Sequence, residues 1–210
     1  MRSCVIFAGG PVSDLSFIDP EKIIGGGDFV ICADSGLKIA EKLGLKPDLI
    51  VGDFDSYSET LPEGVETMRC VPEKDDTDTL VALKEAIKRG FGEVRLYGGL
   101  GARFDHSFAN VQSLVYAYEH GCKMTVCDPD NELTVCGEGE HVFPKREGWY
   151  FSLFALTETT VIGRYSGVKY PLEAYHMTIG YPIGVSNEIT ADSAFLRIDS
   201  GLALVISSRK

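Results

Sequence analysis

Two textures of apolar patterning divide this chain. Up to about residue 129, short continuous apolar runs alternate with stretches of helical period. The runs cover 4–8, 29–33, 49–51, 67–71, 93–97 and 123–127. Unbroken apolar runs of this length predict strands with both faces covered, as in a parallel sheet flanked by helices. Between them, Leu37, Ala40 and Leu43 repeat at helical spacing, and Gly44 and Pro47 end that helix. Leu80, Val81, Leu83, Ala86 and Ile87 repeat likewise as far as Gly90, with Glu85 and Arg89 as an i,i+4 pair on the exposed face. A third helix is expected from Asp105 as N-cap to Gly121, turning Val111, Leu114, Val115 and Tyr118 inward. After Asn131 the helical period disappears. Short strands over 149–156, 160–163, 177–179, 194–198 and 202–206 take over, the last two flanking a hairpin-type turn at Asp199-Ser200-Gly201. The fold class expected is an α/β N-terminal domain with a mostly parallel sheet, followed by a small antiparallel β-sandwich domain. The boundary falls within Asp128-Pro129-Asp130-Asn131, giving domains 1–129 and 130–210.

Composition narrows the function classes. The 210 residues are 44% apolar and 24% charged, enough for one large core or two smaller ones. A net charge of −11 argues against nucleic-acid binding through a basic surface and suits metal ions or a cationic small substrate. No stretch has the length of a membrane span, and the opening apolar run is too brief for a signal peptide. Six cysteines without a CxxC pair, four of them in strand-like runs, point away from zinc and toward reduced thiols in a cytoplasm.

The chemistry-bearing residues gather where the predicted strands end. Those ends carry Ala8-Gly9-Gly10, Ala33-Asp34-Ser35-Gly36, Gly52-Asp53-Phe54-Asp55-Ser56, Asp75-Asp76-Thr77-Asp78 and Gly98-Gly99-Leu100-Gly101. One such segment is an ordinary turn, but five on one sheet edge mark the edge where open α/β sheets bind ligands. Asp53 and Asp55, two residues apart, point to one side at the strand period. Oxygen ligands gathered this way suit a hard cation such as Mg²⁺. Asp75 and Asp78 are expected beside them, with Asp76 turned to solvent. The glycine loop matches neither the dinucleotide fingerprint nor the P-loop. Its sequel, Arg103-Phe104-Asp105-His106, offers a guanidinium fork and the N-terminus of a helix to phosphate oxygens.

Taken together, Gly52-Asp53-Phe54-Asp55-Ser56, Asp75-x-Thr77-Asp78 and Gly98-Gly99-x-Gly101-x-Arg103-x-Asp105-His106 with Asn110 resemble the thiamine pyrophosphokinase family, nearly end to end. The resemblance implies a homodimer that moves the β,γ-diphosphoryl group of ATP to thiamine, giving thiamine diphosphate and AMP with Mg²⁺. It implies that Asp53, Asp55 and Asp78 bind Mg²⁺, with Asp75 supporting. Asp34, Gly98, Gly99, Gly101, Arg103, Asp105, His106 and Asn110 would belong to the ATP site. Ser186 and Asn187, in Gly184-Val185-Ser186-Asn187-Glu188, would contact thiamine across the dimer interface. Whether Asp78 or Asp55 orients the thiamine hydroxyl stays open. Other readings are a metal-dependent phosphohydrolase, a nucleotide- or thiamine-sensing protein, and transfer to another alcohol.

Overall fold

Six parallel strands form the framework of the first half. The computed structural model describes residues 2–53, 62–70, 76–101 and 103–210. The chain divides into two units, Met1–Pro129 and Asp130–Lys210. In the first, β1 (Ser3–Phe7), β2 (Phe29–Ala33), β3 (Leu49–Gly52), β4 (Glu66–Arg69), β5 (Glu93–Tyr97) and β6 (Lys123–Cys127) lie in the order β4-β3-β2-β1-β5-β6. All neighbouring pairs in this series are parallel. Among the described residues, four α-helices accompany them: α1 (Pro20–Gly26), α2 (Leu37–Lys42), α3 (Asp78–Lys88) and α4 (Phe104–Glu119).

Alternation along β1 shows why both faces need cover. Val5 and Phe7 pack with Ile18, Ile23, Leu37 and Ile39 in one cluster. Cys4 and Ile6 point the other way and are equally buried. α3 packs on β1, β2 and β3, and α4 packs on β6 and α3. Each fully buried leucine, such as Leu83 or Leu114, contributes roughly 2 kcal/mol of burial free energy.

Several expectations need correction. α1, which the apolar pattern did not predict, has no strong apolar period and is set by its ends instead. The Asp19 carboxylate accepts from Lys22 N–H, Pro20 starts the helix, and Gly27 closes it at φ 68°. Glu85 is buried rather than on an exposed face. It accepts from Arg89 Nε at 2.8 Å, and Arg89 also reaches Glu66 on β4. α4 begins at Phe104 with Arg103, not Asp105, at the cap position. Its buried face is Asn110, Ser113, Leu114 and Ala117, leaving Tyr118 exposed. Two polar residues on that stripe hid its true phase. β4 is an exposed edge strand ending at Arg69, with Glu66, Thr67 and Arg69 in solvent.

The second unit is all-β. β7 (Asn131–Cys136), β8 (Gly139–Pro144), β9 (Trp149–Ala155), β10 (Thr159–Ser166), β11 (Leu172–Thr178), β12 (Ser193–Ser200) and β13 (Ala203–Arg209) follow in sequence. β13 pairs antiparallel with β7 and β9. A four-stranded antiparallel sheet runs β11-β10-β12-β8. The core between the sheets joins Phe151, Leu153 and Val205 to Ile162, Leu196 and Ile198. The expected hairpin at Asp199-Ser200-Gly201 is therefore not one. β12 and β13 belong to different sheets, Asp199 and Ser200 still lie in β12, and Gly201 at φ 84° turns the chain across.

None of the six cysteines is in a disulfide. Burial pushes the Cys32 thiol up to about 12, so it behaves as a small apolar residue. Among the described residues no helix is long and apolar enough to cross a membrane.

Candidate active site

The strand order reverses between β1 and β5, and a cavity of about 440 Å³ opens where those two strands end. This is the crevice position at which open α/β sheets take ligands. Backbone makes its floor. Ala8 N–H donates to Tyr97 O at 2.8 Å, and Gly10 N–H donates to Gly98 O at 2.9 Å, so the two chain segments stay together past the sheet. Gly98 sits at φ 69°, and a Cβ there would strike the Ala8 carbonyl. Only glycine combines that dihedral with that approach. Asp34 follows β2 at φ 50°, a left-handed conformation uncommon for a residue with a side chain, and it lines the cavity.

Carboxylates come from two further strand ends. Asp53 follows β3, and Asp78 opens α3. Thr77 caps that helix by accepting Leu80 N–H at 3.2 Å, which places Asp78 in its first turn. Asp53, Asp76 and Asp78 all line the cavity. Asp76 thus departs from the expected solvent position. It accepts from Lys84 Nζ, further along α3, at 2.5 Å, and this hydrogen bond holds the Lys84 ammonium above its usual range. Asp55 and Asp75 lie outside the described residues. Among the described residues no group of three His, Cys, Asp or Glu side chains forms a ready metal cage.

The glycine loop and α4 close the far side. Gly98, Gly99, Gly101, Arg103, His106 and Asn110 line the cavity, whereas Asp105 does not. Arg103 donates to Asp105 through Nε at 3.2 Å and Nη2 at 2.6 Å. The same carboxylate accepts His106 N–H at 2.9 Å. These contacts hold the Asp105 carboxyl below its usual range, the Arg103 hydrogen bond contributing most. So one N–H expected to be open to an anion is already engaged, and Arg103 forms a surface ion pair at the cavity rim. Asn110 is buried, and its Nδ2 donates to Gly99 O at 2.7 Å. Sequence reasoning passed over Ser107, and it quoted Thr77 within a motif without giving it a site role; both line the cavity. A Thr-Asp pair at a helix start was a legible signal for the second.

In the second unit, Ser186 is exposed at φ 57°, and its N–H donates to Ser152 Oγ at 3.0 Å. Asn187 is only 3% exposed. Its Oδ1 accepts Tyr170 N–H at 3.0 Å and Glu188 N–H at 2.9 Å, and its Nδ2 donates to Tyr170 O at 2.9 Å. Asn187 therefore joins the 168–172 and 184–188 loops, and Ser186 is the residue left facing outward.

Residues 21–126 match the family model described as thiamin pyrophosphokinase, catalytic domain, and residues 140–203 match thiamin pyrophosphokinase, vitamin B1 binding domain. The chain belongs to the thiamin pyrophosphokinase family. Membership makes it an enzyme of the thiamine diphosphokinase class. The thiamine pyrophosphokinase of Bacillus subtilis is 28% identical, with 99% of each chain covered. A crystal structure of the B. subtilis protein superposes with a TM-score of 0.88 at 26% identity over 100% of both chains. The thiamin pyrophosphokinase family protein of Enterococcus faecalis gives 0.86 at 29% identity, again over 100% of both. The cavity-lining residues from Ala33 to Asn110 fall in the part matching the catalytic domain, with Ala8, Gly9, Gly10 and Pro11 just ahead of it, and Ser186 and Asn187 fall in the part matching the vitamin-binding domain.

Proposed function

We propose that this enzyme transfers the β,γ-diphosphoryl group of ATP to the hydroxyl of thiamine, producing thiamine diphosphate and AMP. The observation that carries this reading is the cavity at the β1/β5 reversal, floored by glycine backbone and lined by Asp34, Asp53, Asp76 and Asp78. In the reaction, the thiamine hydroxyl oxygen forms a bond to the β-phosphorus. The bond from that phosphorus to the α,β-bridging oxygen breaks, and AMP leaves with the electron pair. The hydroxyl proton passes to a carboxylate, Asp78 or Asp55. Such displacement depends on positioning and charge stabilisation more than on covalent chemistry by the protein.

Asp53 and Asp78, together with Asp55, would hold Mg²⁺, which when bound neutralises phosphate charge. The donor set fits: Mg²⁺ takes one or two carboxylates and completes its shell with water and phosphate oxygens, so no closed protein cage is required. Asp34, the glycine loop, Arg103 and His106 would hold the nucleotide, Asp105 acting through its grip on Arg103. Thiamine carries a positive thiazolium ring, which suits a chain of net charge −11. Ser186 would contact thiamine, with Asn187 shaping its loop.

A homodimer is part of the same reading. Ile179, Tyr181, Ile183 and Val185 expose their side chains in the segment leading to Ser186, an apolar run that a second copy would cover. A cytoplasmic location fits a supply of ATP and reduced thiols. The test is incubation with ATP and Mg²⁺, with and without thiamine, resolving nucleotides, phosphate and thiamine diphosphate. AMP and thiamine diphosphate in equal amounts, only with thiamine, is the expected result. Phosphate release regardless of thiamine would replace this reading with a hydrolase.

A further inference from the structure

Three glycines in four positions, Gly98, Gly99 and Gly101, leave the loop after β5 without side chains to fix its shape. Glycine backbone is the most costly to order. Yet the loop is held, and the holding groups come from one face of α4. Ser107 Oγ accepts Gly101 N–H at 3.1 Å and donates to Arg103 O at 3.2 Å. Three residues on, on the same helix face, Asn110 Nδ2 donates to Gly99 O at 2.7 Å. Asn110 is 5% exposed, so its amide has little water to compete for it. Gly10 N–H, after β1, fixes a third point by donating to Gly98 O at 2.9 Å.

We propose that Ser107 and Asn110 are positioning residues: a two-point clamp that sets the glycine loop before the nucleotide arrives. Gly101 N–H is engaged by Ser107, so the loop serves the nucleotide by close approach and by placing Arg103, rather than by offering that N–H to a phosphate. This rests on the nucleotide assignment of the cavity.

The two can be tested apart. Amide hydrogen exchange on the whole protein without ligand reads the clamp alone. In Ser107→Ala, exchange at Gly101 should rise about tenfold, the loss of roughly one hydrogen bond. Leu114 and Ala117, deep in α4, should not change. Steady-state kinetics then read the link to the nucleotide. Ser107→Ala should raise KM for ATP about five- to tenfold with KM for thiamine within twofold, and Ser107→Thr, which keeps the hydroxyl, should restore both readouts. Unchanged exchange at Gly101 would overturn the clamp. Raised exchange with equal changes in both KM values, or in neither, would overturn its link to the nucleotide. If the wild-type enzyme itself fails to bind ATP by calorimetry, the nucleotide reading fails while the exchange result still decides the clamp.

Discussion

The cavity of the first unit and the 184–188 loop of the second divide labour differently. In the cavity, the aspartates and the scaffold are separate: Asp53 and Asp78 line the space, while backbone and the inner face of α4 hold the shape. In the loop they are neighbours in sequence. Ser186 faces outward, and the next residue, Asn187, is buried with three hydrogen bonds to backbone. Asn110 and Asn187 teach the same lesson from both regions. An asparagine beside a ligand site serves the loop's backbone when it is buried, because an unmade amide hydrogen bond there is expensive.

Substitutions break or sharpen this contrast. The largest effect belongs to the cavity aspartates. Asp53→Asn or Asp78→Asn should lower kcat by about 10² or more, since on the proposed reading each removes a charged ligand of Mg²⁺. The melting temperature should stay within a few degrees; near-wild-type turnover in both variants would remove these residues from the reaction. Next comes Asn187→Ala, which strands Tyr170 N–H, Glu188 N–H and Tyr170 O. It should cost about 2–3 kcal/mol in denaturant titration. A stability loss under about 0.5 kcal/mol would show that the loop does not need the amide.

A comparable loss is expected away from both regions. Arg89→Met leaves buried Glu85 without its main partner and should cost about 2 kcal/mol. The pH dependence gives its sign. Hydrogen bonds from Arg89 hold the Glu66 carboxyl below its usual range. Glu85 is also lowered: burial opposes this, and hydrogen bonds from Arg89 and Lys88 prevail. Groups lowered on folding add stability above their unfolded values, near 4.3, and that stability is lost as pH falls through the folded values. Thermal melts should therefore fall below about pH 4.5 in the wild type, and Arg89→Met should flatten that fall. The smallest effect is Ser186→Ala. On the proposed thiamine contact, KM for thiamine should rise about fivefold, as one hydrogen bond is lost, with stability unchanged. Equal loss of stability in Ser186→Ala and Asn187→Ala would erase the contrast between them.

Much of this was legible before the fold was known, and the reasons are physical. A parallel strand buried on both faces is an unbroken apolar run, as in β2; β5 and β6 also begin and end where predicted, although Glu93 and Arg95 in β5 and Lys123 and Thr125 in β6 interrupt their apolar residues on a less buried face. The reversal between β1 and β5 then brings the Gly- and Asp-rich ends to one crevice. Less legible were elements whose signal is not apolar period. α1 is defined by Asp19-Pro20 and Gly27, and β8 alternates weakly, with exposed Val142. β12 and β13 flank a tight turn that looks like a hairpin, because sequence spacing does not reveal that a strand changes sheets. Within the site, chain position showed which segments meet. It did not show that Arg103 would grip Asp105, that Asp76 would pair with Lys84, or that Ser107 would hold Gly101. Those depend on side-chain direction on a helix, which spacing alone leaves ambiguous.

The most direct test of the central claim is to follow the β-phosphorus. ATP labelled at that atom is incubated with the enzyme, Mg²⁺ and thiamine, and the label is traced among the products. Transfer of the diphosphoryl group as one unit predicts label in thiamine diphosphate, AMP free of it, and no ADP. Label retained in ADP, with thiamine monophosphate as the product, would contradict the account.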